Sequence, residues 1–353
     1  MNLWIYVLRR ILLLIPTLIG VTLIVFLLSR AGGINELIGA YLNPHVPEAV
    51  QRGAIIRELG LNKPVYIQYL DFLVGLFRGD WGYTHTPVFT GPVTSAILIF
   101  FPNTIELAIF GFLLTLVMAI PVGTYAAIRK DRAADHVSRI ISFIGYSFPA
   151  FFLAEIVAVY LGTREGIQLL PISGTLSGGF LGSVSWISST GISYPTHLLL
   201  LDALIHGDLP LFWNALKHLI LPALVLAFTT FAGLMRYMRS SMVEVMNMDY
   251  VKFAKAKGLS ESRINSKYIR RNALIPFVTV SGLTLASYMG GVVVIEVIFN
   301  YPGIGYWLYE ALINNDAGGI LAGALLFAII LVTANLVVDV IYAYLDPRIR
   351  LGE

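Results

Sequence analysis

A cationic stretch, residues 249–271, is the part of this sequence best suited to binding another molecule. It carries two acidic residues, Asp249 and Glu261, against seven basic ones. The basic residues are Lys252, Lys255, Lys257, Arg263, Lys267, Arg270 and Arg271. Such a cluster binds acidic surfaces, either on a protein partner or on phospholipid headgroups. A solvated basic linker that only shields anionic headgroups is the simpler alternative.

Carboxylates within apolar stretches are the second set of candidates, because an ionisable side chain at membrane depth commonly has a function. Glu155 lies deepest, and we expect it to serve a pathway or packing against a partner. Glu106, Glu296 and Asp339 stand at the ends of apolar stretches, where we expect them to cap loops or face the interface. The sequence has no chain of acids that could relay protons, which argues against a proton-driven pump.

Motifs for catalysis or for a cofactor are absent from the sequence. It contains no G-x-x-x-x-G-K-[ST] phosphate loop, no H-E-x-x-H and no G-x-S-x-G. It has no cysteine, and its six histidines are scattered, so the sequence shows no clustered metal ligands. We therefore expect this chain to be no enzyme and to bind no cofactor and no metal by itself.

Membrane-spanning helices must position these residues. Hydrophobic residues make up 57% of the 353 residues and the mean hydropathy is +0.77, values that exclude a soluble protein. A helix crosses the hydrocarbon core in about 20 residues. Uncharged intervals of that size predict six spans, one in residues 1–30 and a five-helix core at about 102–128, 137–163, 216–242, 272–298 and 317–345. The predicted fold class is an all-α polytopic membrane protein.

The positions of Lys and Arg predict the orientation of these spans. With the N-terminus inside, 17 of the 24 basic residues are cytosolic, as are both termini, the loop 243–271 and the tail 346–353. A large extracytoplasmic region, 31–101, then follows the first helix, with short helices predicted at 48–60 and 66–77, and 164–215 forms a second one. A cleaved signal peptide is the alternative for the first span, but its apolar core is long and no A-x-A-like site follows Ser29.

Local patterns predict a helix–turn–helix within the cationic stretch. Met242, Met246, Tyr250 and Phe253 share one helical stripe, so we expect the helix of the fourth span to continue into the cytosol. Gly258 suits the left-handed cap at a helix end, and the next helix begins with a capping residue, Ser260.

The segment Phe253-Ala254-Lys-Ala-Lys-Gly258, followed by Asn272-Ala-Leu-Ile-Pro276, resembles the EAA loop of ABC importer permeases. The similarity is to the form found in dipeptide and oligopeptide permeases of the B type. Other stretches resemble that subfamily in the expected order: Tyr6-Val-Leu-Arg-Arg-Ile-Leu-Leu-Leu-Ile-Pro16, Gly60-Leu-Asn-Lys-Pro64 with Gln68-Tyr69, Arg78-Gly-Asp-Trp-Gly82, Pro102-Asn-Thr-Ile-Glu106, His218-Leu-Ile-Leu-Pro222, Glu296-Val-Ile-Phe-Asn-Tyr-Pro-Gly303 and Leu345-Asp-Pro-Arg-Ile-Arg350. The resemblance covers almost the whole chain.

The resemblance implies the type I ABC importer permease architecture and a site that couples to an ATP-binding subunit. It places Ala254 and Gly258 at the alanine and glycine of the EAA motif, whose small size would let the loop helix enter a cleft on that subunit. Lys252 stands where the general motif has Glu, and Phe253 where it has its first Ala. The implied coupling residues are Tyr250, Lys252, Phe253, Ala254, Lys257, Gly258, Leu259 and Ser260.

The resemblance also implies partners and a cargo. The partners are a second permease subunit, two ATP-binding subunits that hold ATP and Mg, an extracytoplasmic substrate-binding protein and membrane lipid, without nucleic acid. The cargo would be di- or oligopeptides, and related permeases carry oligosaccharides or nickel. A secondary transporter, with inverted repeats, broken helices and buried charge, is the alternative of another class. An intramembrane enzyme would need a catalytic pair at depth, and the sequence shows none.

Overall fold

The computed structural model describes residues 3–345, apart from 32, 34–37, 39–41, 43–45, 59, 163–165, 168, 181–183, 189 and 190. The predicted tail 346–353 and the side chain of Asp339 lie outside the described parts. The helices are α1 Leu3–Ala31, α2 Glu48–Glu58, α3 Val65–Phe77, α4 Val93–Ile128, α5 Ala133–Ser147, α6 Ala150–Val157, α7 Leu199–Ile205, α8 Leu209–Met246, α9 Asp249–Ala256, α10 Glu261–Arg263, α11 Arg271–Gly291, α12 Val293–Ile298, α13 Ile304–Ile313 and α14 Ala317–Leu345. Turns of π-helix, Ala158–Gly162 and Ile264–Arg270, continue α6 and α10.

Four of the described helices, α1, α4, α8 and α14, are long and apolar enough to cross a membrane. A fifth crossing would combine α5 and α6, which are bent by 95° relative to each other. The bend follows from Pro149, because the residue before a proline is driven out of the helical region and Phe148 is extended, with ψ 120°. The predicted span 272–298 is divided at Val292 between α11 and α12. The described residues therefore contain four or five such helices, where the sequence predicts six.

Helices α4 and α8 form the centre of the bundle and run parallel. Three facing pairs along them, Gly111 with Leu226, Thr115 with Thr230 and Gly123 with Met238, share one sequence separation of 115 residues. The two glycines allow the close approach, since a Cβ on Gly123 would lie 2.7 Å from the Met235 carbonyl oxygen. The C-terminal ends of α4 and α8 therefore lie together, at what we name the basic end of the bundle, and their N-terminal ends lie at the opposite end.

Helix α1 packs against α3 and α14 and is tied to α3 by polar contacts. The Tyr69 hydroxyl donates to the Ile19 carbonyl at 3.1 Å, and Arg30 Nε donates to Gln68 Oε1 at 3.0 Å. Phe26 is almost fully buried between these elements. The helices predicted at 48–60 and 66–77 are confirmed as α2 and α3.

A small antiparallel hairpin precedes α4, so the predicted all-α fold needs a correction. Strand β1, Tyr83–Thr86, pairs with β2, Phe89–Pro92. The Asp316 carboxylate at the start of α14 accepts hydrogen bonds from the Thr84 hydroxyl and from the His85 N–H. This contact between residues far apart in the sequence holds the hairpin, which is why local sequence patterns did not predict it.

Candidate coupling site at the basic end

The cationic stretch begins with a break in the helix that leaves the bundle. Helix α8 ends at Met246, and Met248 is extended, with φ −69° and ψ 146°, before α9 begins at Asp249. The predicted single helix through this region is therefore wrong. An acid in the first turn stabilises a new helix start through the dipole, and Asp249 occupies that position.

Helix α9 lies with one face on the bundle and the other exposed. Val251 and Ala254 are buried in the core of the basic end, where they pack with residues such as Met242 and Ile269. Phe253 is 61% exposed and Tyr250 is 43% exposed. The apolar stripe predicted from the sequence is thus split, with its methionines on the bundle and its aromatic residues on the surface. Because Ala254 is only 3% exposed, its small side chain serves packing within this chain and is not presented to a partner.

Helix α9 ends in a Schellman motif centred on Gly258. The residue is left-handed, with φ +73°, as predicted for this cap. The Leu259 N–H donates to the Ala254 carbonyl at 3.4 Å and the Gly258 N–H to the Lys255 carbonyl at 2.9 Å. Ser260 stands at the N-cap of α10, but its side chain makes no capping hydrogen bond, so the predicted side-chain cap is wrong.

All seven basic side chains of the stretch are exposed. Among the described residues, Asp249 supplies the one carboxylate within ion-pair distance of them, at 2.8 Å from Lys252 Nζ. The hydrogen bond from Lys252 lowers the pKa of Asp249. Lys257 Nζ lies 4.6 Å from the centre of the Phe253 ring, a cation–π contact. We name Tyr250, Lys252, Phe253 and Lys257 the α9 surface; it combines aromatic rings with positive charge.

A buried ion cluster joins α5 to α8 at the same end of the bundle. The Asp135 carboxylate, fully buried, accepts from Arg239, whose Nη2 lies at 2.7 Å, and from Arg139 Nη2 at 2.8 Å. The Asp131 N–H donates to the same carboxylate at 3.0 Å. Sequence reasoning missed Asp135, although Arg139 four residues later was a weak signal for an ion pair.

The other predicted acids occupy different surroundings. Glu155 is exposed on α6, beside the buried Ala154, and its role in a pathway or in packing stays a prediction. Glu106 accepts the Leu200 N–H at 2.6 Å, at the start of α7. Glu296 accepts the Thr104 hydroxyl at 2.6 Å and the Tyr306 N–H at 2.9 Å, at the start of α13. Glu106 and Glu296 thus cap the segments that begin α7 and α13, as predicted, but both are buried and do not face the membrane interface.

Contacts around Glu296 join two of the sequence motifs, residues 102–106 and 296–303. A Cβ on Gly303 would lie 2.2 Å from the Glu296 carboxyl carbon, so the space of a side chain at 303 is filled by the carboxylate. The Asn103 amide donates to the Pro302 carbonyl at 2.8 Å, and the Ile304 N–H donates to Thr104 at 2.8 Å.

Within the described residues, no three His, Asp or Glu side chains are arranged to hold a metal ion.

Comparison with known proteins agrees with a polytopic membrane bundle. The model of the family "Binding-protein-dependent transport system inner membrane component" matches residues 119–351. The chain belongs to this family, and it is a multi-pass component of the cytoplasmic membrane.

The relatives place it more narrowly among permease proteins. It is 39% identical, over 84% of both chains, to the probable D,D-dipeptide transport system permease protein DdpB of Escherichia coli. It is 34% identical to the oligopeptide transport system permease protein AppB of Bacillus subtilis, over 98% of this chain and 99% of the relative. It is 35% identical to the dipeptide transport system permease protein DppB of Escherichia coli, over 98% of both chains.

Proposed function

We propose that this chain is the permease subunit of an ATP-driven importer that translocates di- or oligopeptides. The similarity to permeases named for dipeptide, oligopeptide and D,D-dipeptide transport supports this cargo. Oligosaccharides and nickel are the alternative cargoes for the same architecture. Membership of a binding-protein-dependent family argues against a secondary transporter.

Six crossings are the topology that fits this function. They would be α1, α4, α5 with α6, α8, α11 with α12, and α14. The parallel course of α4 and α8 supports it, because two helices that cross in the same direction need one returning span between them. The basic end would be cytosolic, as would both termini, since cytosolic loops carry the excess of Lys and Arg.

The observation that carries the proposal is the two-faced packing of α9. Its outer side offers the α9 surface to an ATP-binding subunit, and its inner side is fixed on the bundle through Val251 and Ala254. Close-packed interiors transmit displacement, so a push on α9 would reach α8 and α11. ATP and Mg would act on the partner subunits, and the coupling residues of this chain would receive the motion.

Two further partners would complete the transporter. A second, similar permease would form the other wall of the pathway. An extracytoplasmic binding protein would deliver cargo to the opposite end, where the hairpin and the segment after α6 lie.

Reconstitution of the complete transporter in liposomes tests this function. ATP-dependent, binding-protein-dependent uptake of dialanine or trialanine is expected, with no uptake of nickel or of a maltooligosaccharide. Uptake of nickel or the sugar, without peptide uptake, would contradict the peptide assignment. Peptide uptake that persists without the ATP-binding subunits would contradict the ATP-driven mechanism.

A further inference from the structure

A groove lined with hydroxyl groups runs between α8 and α11. Its volume is about 590 Å³, within the range of ligand sites in proteins. Its polar lining includes Thr229, Thr230, Arg236, Ser240, Thr284 and Ser287. Among the described residues that line it, Arg236 is the one with a full charge.

Most of the hydroxyl groups in this groove donate hydrogen bonds to backbone carbonyl groups of their own helix. Thr229 donates to the Leu226 carbonyl at 2.8 Å, and Ser287 donates to the Thr284 carbonyl at 2.7 Å. Thr284 donates to the Val280 carbonyl at 3.1 Å. Each hydroxyl oxygen therefore keeps lone pairs that can accept hydrogen bonds from a molecule in the groove.

A polar network connects Thr230, one of the residues that line the groove, to α4 and α11. The Tyr288 hydroxyl contacts Thr230 and lies 3.2 Å from the Thr115 hydroxyl, and it can donate to the Leu226 carbonyl at 3.1 Å. Thr115 belongs to α4, so the network fixes α4, α8 and α11 to one another. The two helices that line the groove are thus held against each other and against α4.

This surface is unlike a lipid-facing one. Helix α1 exposes Leu12, Leu13, Ile24 and Leu28, as expected for contact with acyl chains. The groove instead presents several hydroxyl groups along the span and a guanidinium group towards the basic end, a composition suited to water or protein more than to acyl chains. From Thr229 to Ser240 the groove follows about 16 Å of helix, at about 1.5 Å per residue. A di- or tripeptide, at about 3.3–3.6 Å per extended residue, fits within that length.

We propose that this groove is the wall which this chain contributes to the peptide pathway. Its hydroxyl oxygens would accept the backbone N–H groups and the terminal ammonium of a di- or tripeptide. The Arg236 guanidinium would bind the terminal carboxylate through charge-assisted hydrogen bonds. The inference rests on the proposed function, and it assigns pathway residues that the sequence left open.

Accessibility to a hydrophilic thiol reagent tests whether the groove is wet. The chain has no cysteine of its own, so single variants Ser240→Cys and Ser287→Cys report on one position each. Thr17→Cys, on the exposed side of α1, is the control. A thiol in apolar surroundings keeps its proton and reacts slowly. In the assembled transporter, a cationic methanethiosulfonate should modify the groove cysteines at least about tenfold faster than the control. Equal rates at all three positions would overturn the proposal.

Peptide transport tests the role of Arg236. With loaded binding protein at saturation, Arg236→Gln should lower dialanine imported per ATP hydrolysed by about tenfold, because a charge-assisted hydrogen bond is lost. Arg236→Lys should restore most of that ratio. Arg132→Gln, an exposed arginine at the same end of the bundle, is the matched control and should leave the ratio unchanged.

The outcomes separate the two proposals. If the wild-type transporter imports no peptide, the proposed function is wrong. If it imports peptide and Arg236→Gln keeps the ratio of the control, the groove inference alone is wrong. A purely structural role of Arg236 would lower peptide import and ATP hydrolysis together and leave their ratio unchanged, which also contradicts the proposal.

Discussion

The two ends of the bundle use charged residues in opposite ways. At the opposite end, the carboxylates of Glu106, Glu296 and Asp316 are buried and accept hydrogen bonds from backbone N–H or hydroxyl groups. At the basic end, the seven cations of residues 249–271 are exposed. The buried carboxylates hold this chain together, and the exposed cations are available to another molecule.

The difference separates effects on stability from effects on association. Removing a buried acceptor leaves its donors without partners, which costs about 1–3 kcal/mol for each donor. An exposed ion pair such as Asp249 with Lys252 contributes little, because water and salt screen it. Substitutions at the opposite end should therefore lower the free energy of unfolding, and those on the α9 surface should change binding to a partner.

The largest expected effect on stability comes from Gly303→Ala. The new methyl group would meet the Glu296 carboxylate, which is fully buried. The carboxylate cannot move without losing its hydrogen bonds from the Thr104 hydroxyl and the Tyr306 N–H. Overpacking together with lost hydrogen bonds should cost about 3 kcal/mol or more. Thermal unfolding in detergent measures the change. Gly178→Ala is the matched control, since nothing lies within 4 Å of its Cβ position. Equal stability of the two variants would contradict the assigned role of Glu296.

An intermediate loss of stability is expected from Asp135→Asn. This carboxylate is buried although it lies at the basic end, so the variant separates the effect of burial from the effect of position in the bundle. The change leaves Arg239 without its counter-charge, and partial exposure of that arginine moderates the cost to about 2 kcal/mol. Unfolding of the variant should be compared with that of Asp249→Asn, whose exposed carboxylate should contribute much less through the helix dipole and Lys252. Similar losses in both variants would break the distinction between buried and exposed acids.

The smallest effect is expected from Gly258→Ala. No atom of the chain lies within 4 Å of the new methyl group, so only the left-handed backbone is strained, at about 1 kcal/mol. Gly258→Asn should cost less, because asparagine tolerates this conformation better. Chemical denaturation of both variants checks the order. A loss for Gly258→Ala as large as that for Gly303→Ala would mean that Gly258 is packed within the chain.

The sequence predicted the main elements because hydrophobic runs and caps are local signals. It indicated the helices, the left-handed Gly258 and the capping roles of Glu106 and Glu296. It did not indicate the hairpin, which depends on the distant Asp316, or the interruption of the predicted spans at Phe148 and Val292. Contacts between distant residues decide the hairpin, whereas the interruption at Phe148 follows from the neighbouring Pro149, a local signal that a count of uncharged intervals does not use.

The sequence predicted where along the chain the candidate site lies, but not which of its side chains are exposed to a partner. A stripe through Met242, Met246, Tyr250 and Phe253 is apolar whether it faces the bundle or a partner. The extended Met248 turns the chain between the methionines and the aromatic residues, so periodicity could not assign the two faces of α9. Ala254 was expected to meet a partner and instead packs within the chain.

Binding of the cognate ATP-binding subunits to Phe253→Ala permease tests the central claim most directly. Phe77→Ala, which removes a ring that is 92% exposed on α3, is the matched control. Loss of an exposed aromatic anchor at an interface commonly costs about 2 kcal/mol, roughly thirtyfold in affinity. Phe253→Ala should therefore weaken subunit association and reduce binding-protein-stimulated ATPase activity, whereas Phe77→Ala should leave the affinity unchanged. Wild-type affinity and wild-type ATPase stimulation in Phe253→Ala would contradict the assignment of the α9 surface as the coupling site.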